Sequence, residues 1–349
     1  MKRVGDLFGK IVDLENLQAA DAIARKGKKG QYGILVHDQN KDANLLVLQQ
    51  SLLNKTFRTS AYSTFKVFEP KEREVFRLPY YPDRIVHHAV MNVVERHFVA
   101  SFTADTYSCI KGRGIHKALI NLKGALRDKE ETVYCLKLDI KKFYPSVDHD
   151  ILKTLLHRKF KDQDLLWLFE EIIDSAPGLP IGNYLSQYFA NFYLTYFDHW
   201  LKEVKKVKYY FRYADDIVIL NSDKQYLHQL LTDIKRYLSN ELKLHVKENH
   251  QVFPVASRGI DFLGYVFYHT HIRLRKSIKQ NMARKFRKNP NKQSVASYQG
   301  WVKHCNGKHL LKKLLYENIQ GNGHSPGAKR IHRRQKKRRL VVESKDNSA

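Results

Sequence analysis

Three aspartates lie at the ends of apolar segments, where their carboxylates could share metal ions. Asp139 follows the apolar run VYCLKL, and Asp215 with Asp216 lies between the runs KYYFRYA and IVIL. If these runs are neighbouring strands, the carboxylates meet and repel one another unless cations bind them. Carboxylate oxygens are typical ligands of Mg²⁺, which usually shares its shell with substrate phosphates. The pattern therefore predicts two Mg²⁺ ions, or Mn²⁺ in their place, about 4 Å apart. Such ions would activate a 3′-hydroxyl for attack on phosphorus and hold the leaving pyrophosphate.

An Asp-Asp pair also has a simpler explanation, because aspartate is common in tight turns that bind nothing. Two features of the flanking sequence favour the metal site. Strand-forming residues stand on both sides of Asp215 and Asp216, and a second strand-like segment, LKLDIKKFYPSV, supplies Asp139.

The spacing of apolar residues predicts the elements that position these aspartates. A buried strand over Val133–Leu138 leads to a turn at Tyr144–Ser146, and a helix begins at about Asp148. The segment KYYFRYADDIVILNS predicts a hairpin whose turn is Ala214–Asp216. Between them, the loop GLPIGNYLSQ at residues 178–187 precedes a long amphipathic run.

The rest of the chain predicts helices around one antiparallel sheet. Residues 1–60 and 272–318 have helical spacing, and residues 63–78 predict two short strands joined by a turn at Glu69–Lys71. A further helix follows Asp83, and no internal repeat is visible. This order of elements predicts an α+β protein.

The charge of the chain predicts a polyanionic partner. The formal net charge is +27, from 62 Lys and Arg against 35 Asp and Glu. Residues 324–349 contribute +7 of this, with eight Lys or Arg in Ala328–Arg339, so the rest of the chain is also basic. This tail is either a solvated, disordered end or a segment that contacts RNA, and it should strengthen binding at low salt.

The cysteines and the hydropathy of the chain predict where the protein works. Cys109, Cys135 and Cys305 are too far apart for a zinc knuckle, and their odd number argues against a disulfide framework, so we expect small, buried or partly buried side chains in a reducing compartment. No apolar run reaches the roughly 18 residues of a membrane span, and the N-terminus MKRVGDLFGK lacks a signal-peptide core. We therefore expect a soluble, cytoplasmic protein with no membrane partner.

Four segments occur in the order that is found in reverse transcriptases. YADD at Tyr213–Asp216 resembles the Y-x-D-D motif, and LDIKKFY at Leu138–Tyr144 resembles the strand that carries the first catalytic aspartate. The loop GLPIGNYLSQ and the turn GIDFLG at Gly259–Gly264 complete a series that covers roughly residues 65–270. The resemblance implies an RNA-directed DNA polymerase with a right-hand fold of fingers, an antiparallel-sheet palm and a helical thumb.

The same resemblance implies the domains and the partners of the chain. The domains are an N-terminal helical extension (residues 1–62), fingers (63–134), a palm (135–269) with helices in 148–200, a thumb (270–323) and a basic tail expected to be disordered (324–349). The implied partners are a noncoding template RNA, the RNA–cDNA duplex and deoxynucleoside triphosphates (dNTPs).

The resemblance also assigns roles residue by residue. Asp139 and Asp215 would bridge both metal ions, with Asp216 as a third acid and Ile140 at the metal site. Tyr144 would pack against the sugar of the nucleotide and exclude a 2′-hydroxyl. The residues implied to bind the dNTP are Lys71, Arg73, Tyr144, Ile181, Gln187 and Lys247. The residues implied to contact primer or template are Gly259, Asp261, Gly264, Tyr298, Trp301, Lys303 and His304.

Several of these assignments have plainer alternatives. Tyr144 could be an ordinary turn aromatic, and Lys71 with Arg73 could be a solvated surface pair instead of a clamp on the triphosphate. Lys247, implied to protonate the leaving pyrophosphate, is followed by Glu248, which complicates the register. The glycines could serve backbone geometry alone, and the aromatics of SYQGWVKH fit an amphipathic helix as well as a template groove.

The loop GLPIGNYLSQ ends in G-x-x-x-S-Q, where most reverse transcriptases have Q-G-x-x-x-S-P. This ending resembles the enzymes of diversity-generating retroelements, as do EPKER, DRIVHHAV, TYSCIKGRGIHKA and SYQGWVKH. The resemblance implies copying of a template-repeat RNA with errors opposite adenine, mutagenic retrohoming into a target gene, and a basic accessory protein that forms a pentamer. The alternative is a stand-alone phage-defence enzyme of the abortive-infection type. The intact aspartates disfavour a non-catalytic RNA-binding scaffold.

Ile181 stands where most reverse transcriptases have glutamine. A glutamine could hydrogen-bond the sugar of the incoming nucleotide, whereas isoleucine offers only apolar contact, which typically discriminates by about 1–3 kcal/mol. We hypothesise that Ile181 lowers the difference in free energy between correct and incorrect pairs. This difference does not explain why adenine is singled out.

Overall fold

The computed structural model describes residues 3–28, 30–68, 72–287 and 291–321. The chain divides into two compact units between Ile272 and Arg273. The helices are α1 (Phe8–Val12), α2 (Leu14–Ala24), α3 (Tyr32–Asp38), α4 (Lys41–Leu53), α5 (Ile85–Val99), α6 (Ile115–Ala125), α7 (His149–Lys159), α8 (Gln163–Ile173), α9 (Tyr184–Tyr193), α10 (Thr195–His199), α11 (Lys224–Leu242), α12 (Val255–Arg258), α13 (Lys276–Phe286), α14 (Lys292–Val302) and α15 (Lys308–Gly321). The strands are β1 (Ser63–Val67), β2 (Arg73–Arg77), β3 (Tyr134–Asp139), β4 (Tyr209–Tyr213), β5 (Asp216–Asn221), β6 (Gln251–Pro254), β7 (Ile260–Phe262), β8 (Tyr265–Phe267) and β9 (Ile272–Leu274). The predicted turn Glu69–Lys71 and the basic tail lie outside the described residues.

A four-stranded antiparallel sheet in the order β4-β5-β3-β6 carries the three aspartates. Its inner strands are apolar at successive positions, and Leu136, Leu138 and Ile217–Leu220 are all buried. Short continuous apolar runs of this kind are typical of fully buried strands. The strand predicted over Val133–Leu138 is confirmed with a shift of one residue.

Aromatic side chains fill the space between α5, α8 and α9. The ring centroid of Phe98 lies within 6.2 Å of those of Phe160, Phe169, Tyr188, Phe189 and Phe192. Edge-to-face aromatic pairs contribute about 0.5–1.5 kcal/mol each beyond their burial. This packing holds α9, which follows directly after the loop GLPIGN, against α5 and α8.

A buried ionic cluster joins the N-terminal helices to the turn before α5. Asp21 is fully buried and accepts hydrogen bonds from the Arg25 guanidinium at 2.7 Å and the Tyr80 hydroxyl at 2.5 Å. The His37 ring lies 3.5 Å and the Lys41 ammonium 3.4 Å from the same carboxylate. Burial alone would raise the pKa of Asp21, but the hydrogen bonds from Arg25 and Tyr80 lower it. The cluster therefore holds α2, α3 and α4 in one arrangement.

The α+β class is confirmed, but the prediction of one antiparallel sheet is wrong for the described part of the chain. β1 and β2 pair as a separate ribbon, and β7 and β8 pair in another sheet. All five side chains of β1 are exposed, so this strand has no buried face that could join the four-stranded sheet. Alternation in a sequence identifies strands but not their partners.

Two further observations concern the cysteines and the helices. Cys109, Cys135 and Cys305 are free; Cys135 is buried and Cys305 half-buried, as predicted, but the prediction of a buried or partly buried side chain is wrong for Cys109, which is exposed. Among the helices that the structure describes, none is long and apolar enough to cross a membrane.

Candidate active site

The pairing of β3 with β5 brings the predicted catalytic aspartates to one end of the four-stranded sheet. Asp139 and Asp216 lie directly opposite each other in the register of these strands. Asp215 precedes β5, and its backbone carbonyl accepts a hydrogen bond from the amide of Ile140 at 3.2 Å. The site therefore depends on backbone pairing between segments that are 75 residues apart in the sequence, from Ile140 to Asp215.

Asp139 and Asp215 form a close carboxylate pair. Burial and the neighbouring charge of Asp139 raise the pKa of Asp215 to about 6, and the Lys247 ammonium opposes this shift. Lys247 donates a hydrogen bond to Oδ1 of Asp139 and lies 3.9 Å from Oδ2 of Asp215. The backbone amide of Lys247 also donates to the carbonyl of Asp139 at 2.8 Å. Lys247, predicted from the motif order alone, thus lies beside both carboxylates.

The donor set of this pair fits a hard cation. The pKa of Asp215 is raised even though the Lys247 ammonium lies nearby, because burial and the charge of Asp139 outweigh that ammonium. The two carboxylates therefore carry negative charge that a cation could compensate. The third acid is arranged differently, because an Asp216 oxygen lies 3.4 Å from the Lys137 ammonium. In the described ranges, no group of three or more His, Cys, Asp or Glu side chains is arranged to hold a metal ion. For all three aspartates to bind an ion, Lys247 would have to move away from Asp139 and Asp215, and Lys137 away from Asp216.

The turn of the β4–β5 hairpin is shorter than predicted. Asp216 already pairs with Tyr213, so the turn consists of Ala214 and Asp215 alone. Ala214 has a φ of 54°, a conformation that is unusual for a residue with a Cβ and belongs to the primed turns of two-residue hairpins. Backbone strain of this kind is retained only where neighbouring groups enforce it.

Arg212, which its sequence context did not reveal, is the group that enforces this turn. Its guanidinium is fully buried, donates to the Asp198 carboxylate at 2.5–3.0 Å and donates to the carbonyl of Ala214 at 3.1 Å. Burial alone would lower the pKa of Arg212, but the charge of Asp198 raises it. Arg212 therefore remains charged and connects the turn that carries Asp215 to α10.

The loop GLPIGN is fixed at its first end to Tyr144. Gly178 has a φ of 60°, and a Cβ there would lie 2.7 Å from the carbonyl oxygen of Tyr144. The amide of Leu179 donates to that same carbonyl at 2.8 Å, and the His149 ring contacts the carbonyl of Gly178 at 2.8 Å. Tyr144 itself is half-buried, and burial raises its pKa. Glycine at position 178 is thus required by a close backbone approach.

The second end of the loop is fixed to β2. Gly182 has a φ of 119°, and a Cβ there would collide with the carbonyl oxygen of Phe76. The amide of Phe76 donates to the carbonyl of Ile181 at 2.8 Å. Ile181 is half-buried, and Asn183 donates to the hydroxyl of Tyr62 at 2.8 Å. The loop that carries Ile181 is therefore attached to Tyr144 through Leu179 and to β2 through Ile181 itself.

The other predicted dNTP residues are more dispersed. Arg73 is exposed on β2, the strand that contacts the loop. Gln187 lies in the first turn of α9 and is half-buried. Lys71 lies outside the described residues.

The predicted primer residues form a tight hairpin. Leu263 and Gly264 connect β7 to β8 with φ values of 51° and 89°, and two positive values are typical of a type I′ turn. Gly259, with a φ of 74°, lies just before β7. Lys137 donates to the backbone carbonyl of Asp261, so this hairpin is joined to β3. Lys137 was not among the predicted site residues.

The remaining predicted template residues belong to the second unit. Tyr298 and Trp301 lie on α14, and Lys303 and His304 follow its end. The ring of Tyr298 packs edge-on against Phe286 with centroids 5.8 Å apart. Tyr298 thus contributes to the packing of this unit, as the alternative of an amphipathic helix predicted.

Residues 70–267, more than half of the chain, match the family described as reverse transcriptase (RNA-dependent DNA polymerase). The chain belongs to the reverse transcriptase family. The matched region contains the three aspartates, the loop GLPIGNYLSQ and Lys247. The order of motifs in the sequence therefore identified the family correctly.

Two curated relatives illustrate the range of reverse transcriptases that the chain resembles. The group II intron-encoded protein LtrA of Lactococcus lactis subsp. cremoris is 21% identical over 280 residues, which is 59% of this chain and 45% of the relative. The retron Ec73 reverse transcriptase of Escherichia coli is 26% identical over 265 residues, or 68% of this chain and 80% of the relative. The chain spans less than half the length of most of the curated relatives it matches.

The fold also resembles that of a solved polymerase. The apo telomerase of Candida tropicalis matches with a TM-score of 0.50 and 12% identity, covering 76% of this chain and 59% of that chain. At this identity the likeness concerns the fold alone. Together with the family match, it confirms the right-hand polymerase fold expected from the motifs.

Proposed function

We propose that this protein is an RNA-directed DNA polymerase that adds nucleotides to a 3′-hydroxyl with two divalent metal ions. The observation that carries the proposal is the carboxylate pair of Asp139 and Asp215 at the end of two paired strands, within a reverse transcriptase domain. The raised pKa of Asp215 supports cation binding, because a cation would compensate the repulsion from Asp139. When bound, the ions would lower the pKa of the primer hydroxyl and neutralise phosphate charge.

The residues around the pair fit distinct tasks in this reaction. Asp139 and Asp215 would hold the ions, while Asp216 supports them from the opposite strand position. Lys247, whose ammonium lies beside both carboxylates, is the proposed proton donor to the leaving pyrophosphate. Tyr144, fixed against the loop at Leu179, is the proposed contact for the sugar.

The clamp on the triphosphate and the grip on the primer belong to the same proposal. Arg73 lies exposed on β2, where its guanidinium can reach a phosphate, and Lys71 is its proposed companion. The β7–β8 hairpin with Gly259, Asp261 and Gly264 is the proposed support for the primer end. Template contacts are proposed for Tyr298, Trp301, Lys303 and His304.

Primer extension on an RNA template tests this proposal. Asp139→Asn and Asp215→Asn keep the size of each side chain but remove its charge, and each should slow extension by at least about 10³-fold, since charge stabilisation in the transition state accounts for several kcal/mol. The control is Asp164→Asn, which removes the charge of an exposed carboxylate that pairs with Lys55 at 2.5 Å. An Asp215→Asn variant that extends the primer as fast as this control would disprove the metal assignment.

We further propose that the enzyme belongs to a diversity-generating retroelement and makes error-prone cDNA from a template-repeat RNA. The support is the sequence resemblance, above all Ile181 and the S-Q ending at Gln187. Ile181 is half-buried in a loop that is fixed at both ends, so exchanging its side chain tests the proposal without moving the backbone. A basic accessory protein that forms a pentamer is the proposed partner.

Sequencing of cDNA copied from an RNA with all four bases tests the error-prone activity. Wild type should misincorporate mainly opposite adenine, and Ile181→Gln should reduce these errors about fivefold or more, as expected for a gain of about 1–3 kcal/mol in discrimination. The control is Ile120→Gln, which makes the same change at a side chain that is 59% exposed in α6. An error spectrum that is the same in Ile181→Gln and wild type would exclude Ile181 as the cause.

The second candidate is a stand-alone phage-defence reverse transcriptase that copies RNA without targeted errors. One observation favours it: 68% of this chain aligns with the E. coli retron enzyme at 26% identity, compared with 59% at 21% identity for the intron protein. The same sequencing experiment separates the two candidates. Accurate copying opposite adenine, with no repeat pair near the coding region, would support the defence enzyme.

A further inference from the structure

Lys137 lies beside the catalytic aspartates, yet the proposed reaction assigns no task to it. It stands two positions before Asp139 on β3, so both side chains project from the same face of the sheet. Both residues are half-buried, whereas Leu136 and Leu138, which flank Lys137, are buried. A cation at such a position needs acceptors nearby, because burying a charge without partners is costly. The structure shows two acceptors for the Lys137 ammonium.

The first acceptor is the third acid of the site. Lys137 is opposite Val218 in the register of β3 and β5, two positions from Asp216. A long side chain can reach such a diagonal neighbour, and the Lys137 ammonium lies 3.4 Å from an Asp216 oxygen. The lysine side chain is 25% exposed and the aspartate side chain 24% exposed, so water and salt screen this ion pair only in part.

The second acceptor belongs to the β7–β8 hairpin, the proposed support for the primer end. Lys137 donates a hydrogen bond to the backbone carbonyl of Asp261 in β7. The hairpin has a separate attachment after β8, where the His269 ring contacts the hydroxyl of Thr132 at 3.1 Å and its carbonyl at 3.0 Å. Loss of the Lys137 contact would therefore leave the hairpin attached through His269 but would free β7 from β3.

We propose that Lys137 is a positioning residue that sets the primer end against the metal site. Its ammonium bridges the Asp216 carboxylate and the Asp261 carbonyl, so the hairpin is held at the level of the aspartates. The same ammonium competes with a divalent cation for Asp216, because both carry positive charge. This inference rests on the proposed function, since it takes the hairpin as the support for the primer and the aspartates as the metal site.

The bridge predicts changes of opposite sign in two binding reactions. In Lys137→Met, the hairpin loses a hydrogen bond from a charged group, so a primer–template duplex should bind about tenfold more weakly. The same variant removes a positive charge 3.4 Å from Asp216, so Mn²⁺ should bind about fivefold more tightly. A lysine that only stabilised the sheet would not improve the binding of a cation when it is removed.

Both reactions are measured with the full chain and need no polymerase activity. A fluorescein-labelled DNA primer annealed to an RNA template is titrated by anisotropy in the presence of EDTA, and Mn²⁺ binding to the protein alone is followed by electron paramagnetic resonance. The control is Lys205→Met, which removes a half-buried lysine that pairs with Asp233 at 2.7 Å. This control should resemble wild type in both titrations.

The salt dependence of primer–template binding separates positioning from direct contact with nucleic acid. A lysine that contacts a phosphate displaces counterions, and its removal lowers the slope of log K against log salt by about 1. Because Lys137 acts through the hairpin, Lys137→Met should keep the slope of wild type. Lys137→Arg retains the charge and several donors, so it should bind primer–template more tightly than Lys137→Met does.

Weaker primer–template binding at an unchanged salt slope, together with tighter Mn²⁺ binding, supports the proposal. The proposal is overturned if Lys137→Met binds both probes as Lys205→Met does, if it binds both more weakly, or if its salt slope falls. If thermal unfolding shows that Lys137→Met is not folded, the shorter, uncharged Lys137→Gln must show the same two changes. Failure of wild type to extend a primer although it binds both probes is a separate result, which contradicts the proposed function.

Discussion

Replacing Arg212 with methionine should destabilise the sheet that carries the catalytic aspartates. The Asp198 carboxylate accepts hydrogen bonds from Arg212 at 2.5–3.0 Å, from the Tyr210 hydroxyl at 2.6 Å and from the Thr106 hydroxyl at 3.0 Å. In Arg212→Met, Asp198 keeps the two hydroxyls but loses its counter-charge while it remains fully buried. Removal of one partner of a buried ion pair typically lowers the free energy of unfolding by about 3–5 kcal/mol.

The companion change Asp198→Leu leaves the Arg212 charge buried without a partner, so its cost should be similar, about 3–5 kcal/mol. The double variant has no buried charge at this position. Replacing both charges by apolar side chains is often nearly neutral, but here the Tyr210 and Thr106 hydroxyls also lose their buried acceptor, so we expect the double variant to be about as stable as either single variant. The coupling free energy between the two positions should therefore be about 3–5 kcal/mol.

Urea unfolding of the full chain, followed by circular dichroism, measures this double-mutant cycle. If the double variant lost as much free energy of unfolding as the two single variants lose in sum, the two residues would not be coupled and the reasoning would be refuted. A third variant, Arg212→Lys, separates stability from activity, because one ammonium cannot reproduce the fork that contacts both Asp198 and the carbonyl of Ala214. We expect Arg212→Lys to slow primer extension more than its loss of stability explains, since the turn before Asp215 is released.

Two further predictions concern the loop before α9 and the cap of α8. Gly182→Ala should lower the free energy of unfolding by about 1–3 kcal/mol and slow primer extension, because the new Cβ meets the Phe76 carbonyl of β2 at a positive φ. The control Gly124→Ala, in the last turn of α6 with open space around the new Cβ, should be neutral or stabilising. Asp162 and Asp223 cap α8 and α11, but Asp162 also accepts hydrogen bonds from the amides of Leu7 and Phe8 at 2.7 and 2.9 Å. In urea titrations, Asp162→Ala should therefore lower the free energy of unfolding more than Asp223→Ala does. Burial alone would raise the pKa of Asp162, but the hydrogen bonds from these amides lower it. The stability that the Asp162 carboxylate contributes is therefore lost on protonation, and the difference in unfolding free energy between the two variants should shrink as the pH falls below about 4. Equal losses of stability in both variants at neutral pH would contradict this reasoning.

The parts of the fold that depend on local sequence could be predicted. The helix expected at about Asp148 begins at His149, and the Asp148 side chain accepts a hydrogen bond from the amide of Ile151 as its cap. The hairpin around YADD was predicted with its turn one residue too long, because sequence does not show where strand pairing resumes after Asp215. The motif order identified the reverse transcriptase family, since four motifs in series are a more specific signal than any single one.

The contacts between distant residues could not be predicted. Arg212 contacts Asp198, and Lys137 contacts the carbonyl of Asp261, which lies 124 residues further along the chain. A weak signal was present in both cases. Each is a cation inside an apolar, strand-forming run, and a buried cation needs an acidic or carbonyl partner. Lys137 also lies two positions before Asp139, which places both side chains on the same face of β3.

The loop before α9 can change its chemistry but not its length. Gly178 and Gly182 are fixed against Tyr144 and Phe76, so an inserted or deleted residue would break one attachment or the other. Evolution can therefore retune this part of the protein only by exchanging side chains, and Ile181 is a half-buried position within the fixed span. Under the role proposed for Ile181, a change between glutamine and isoleucine there would alter fidelity while the path of the chain stays the same. Copying accuracy could thus evolve through single codon changes at a constant backbone.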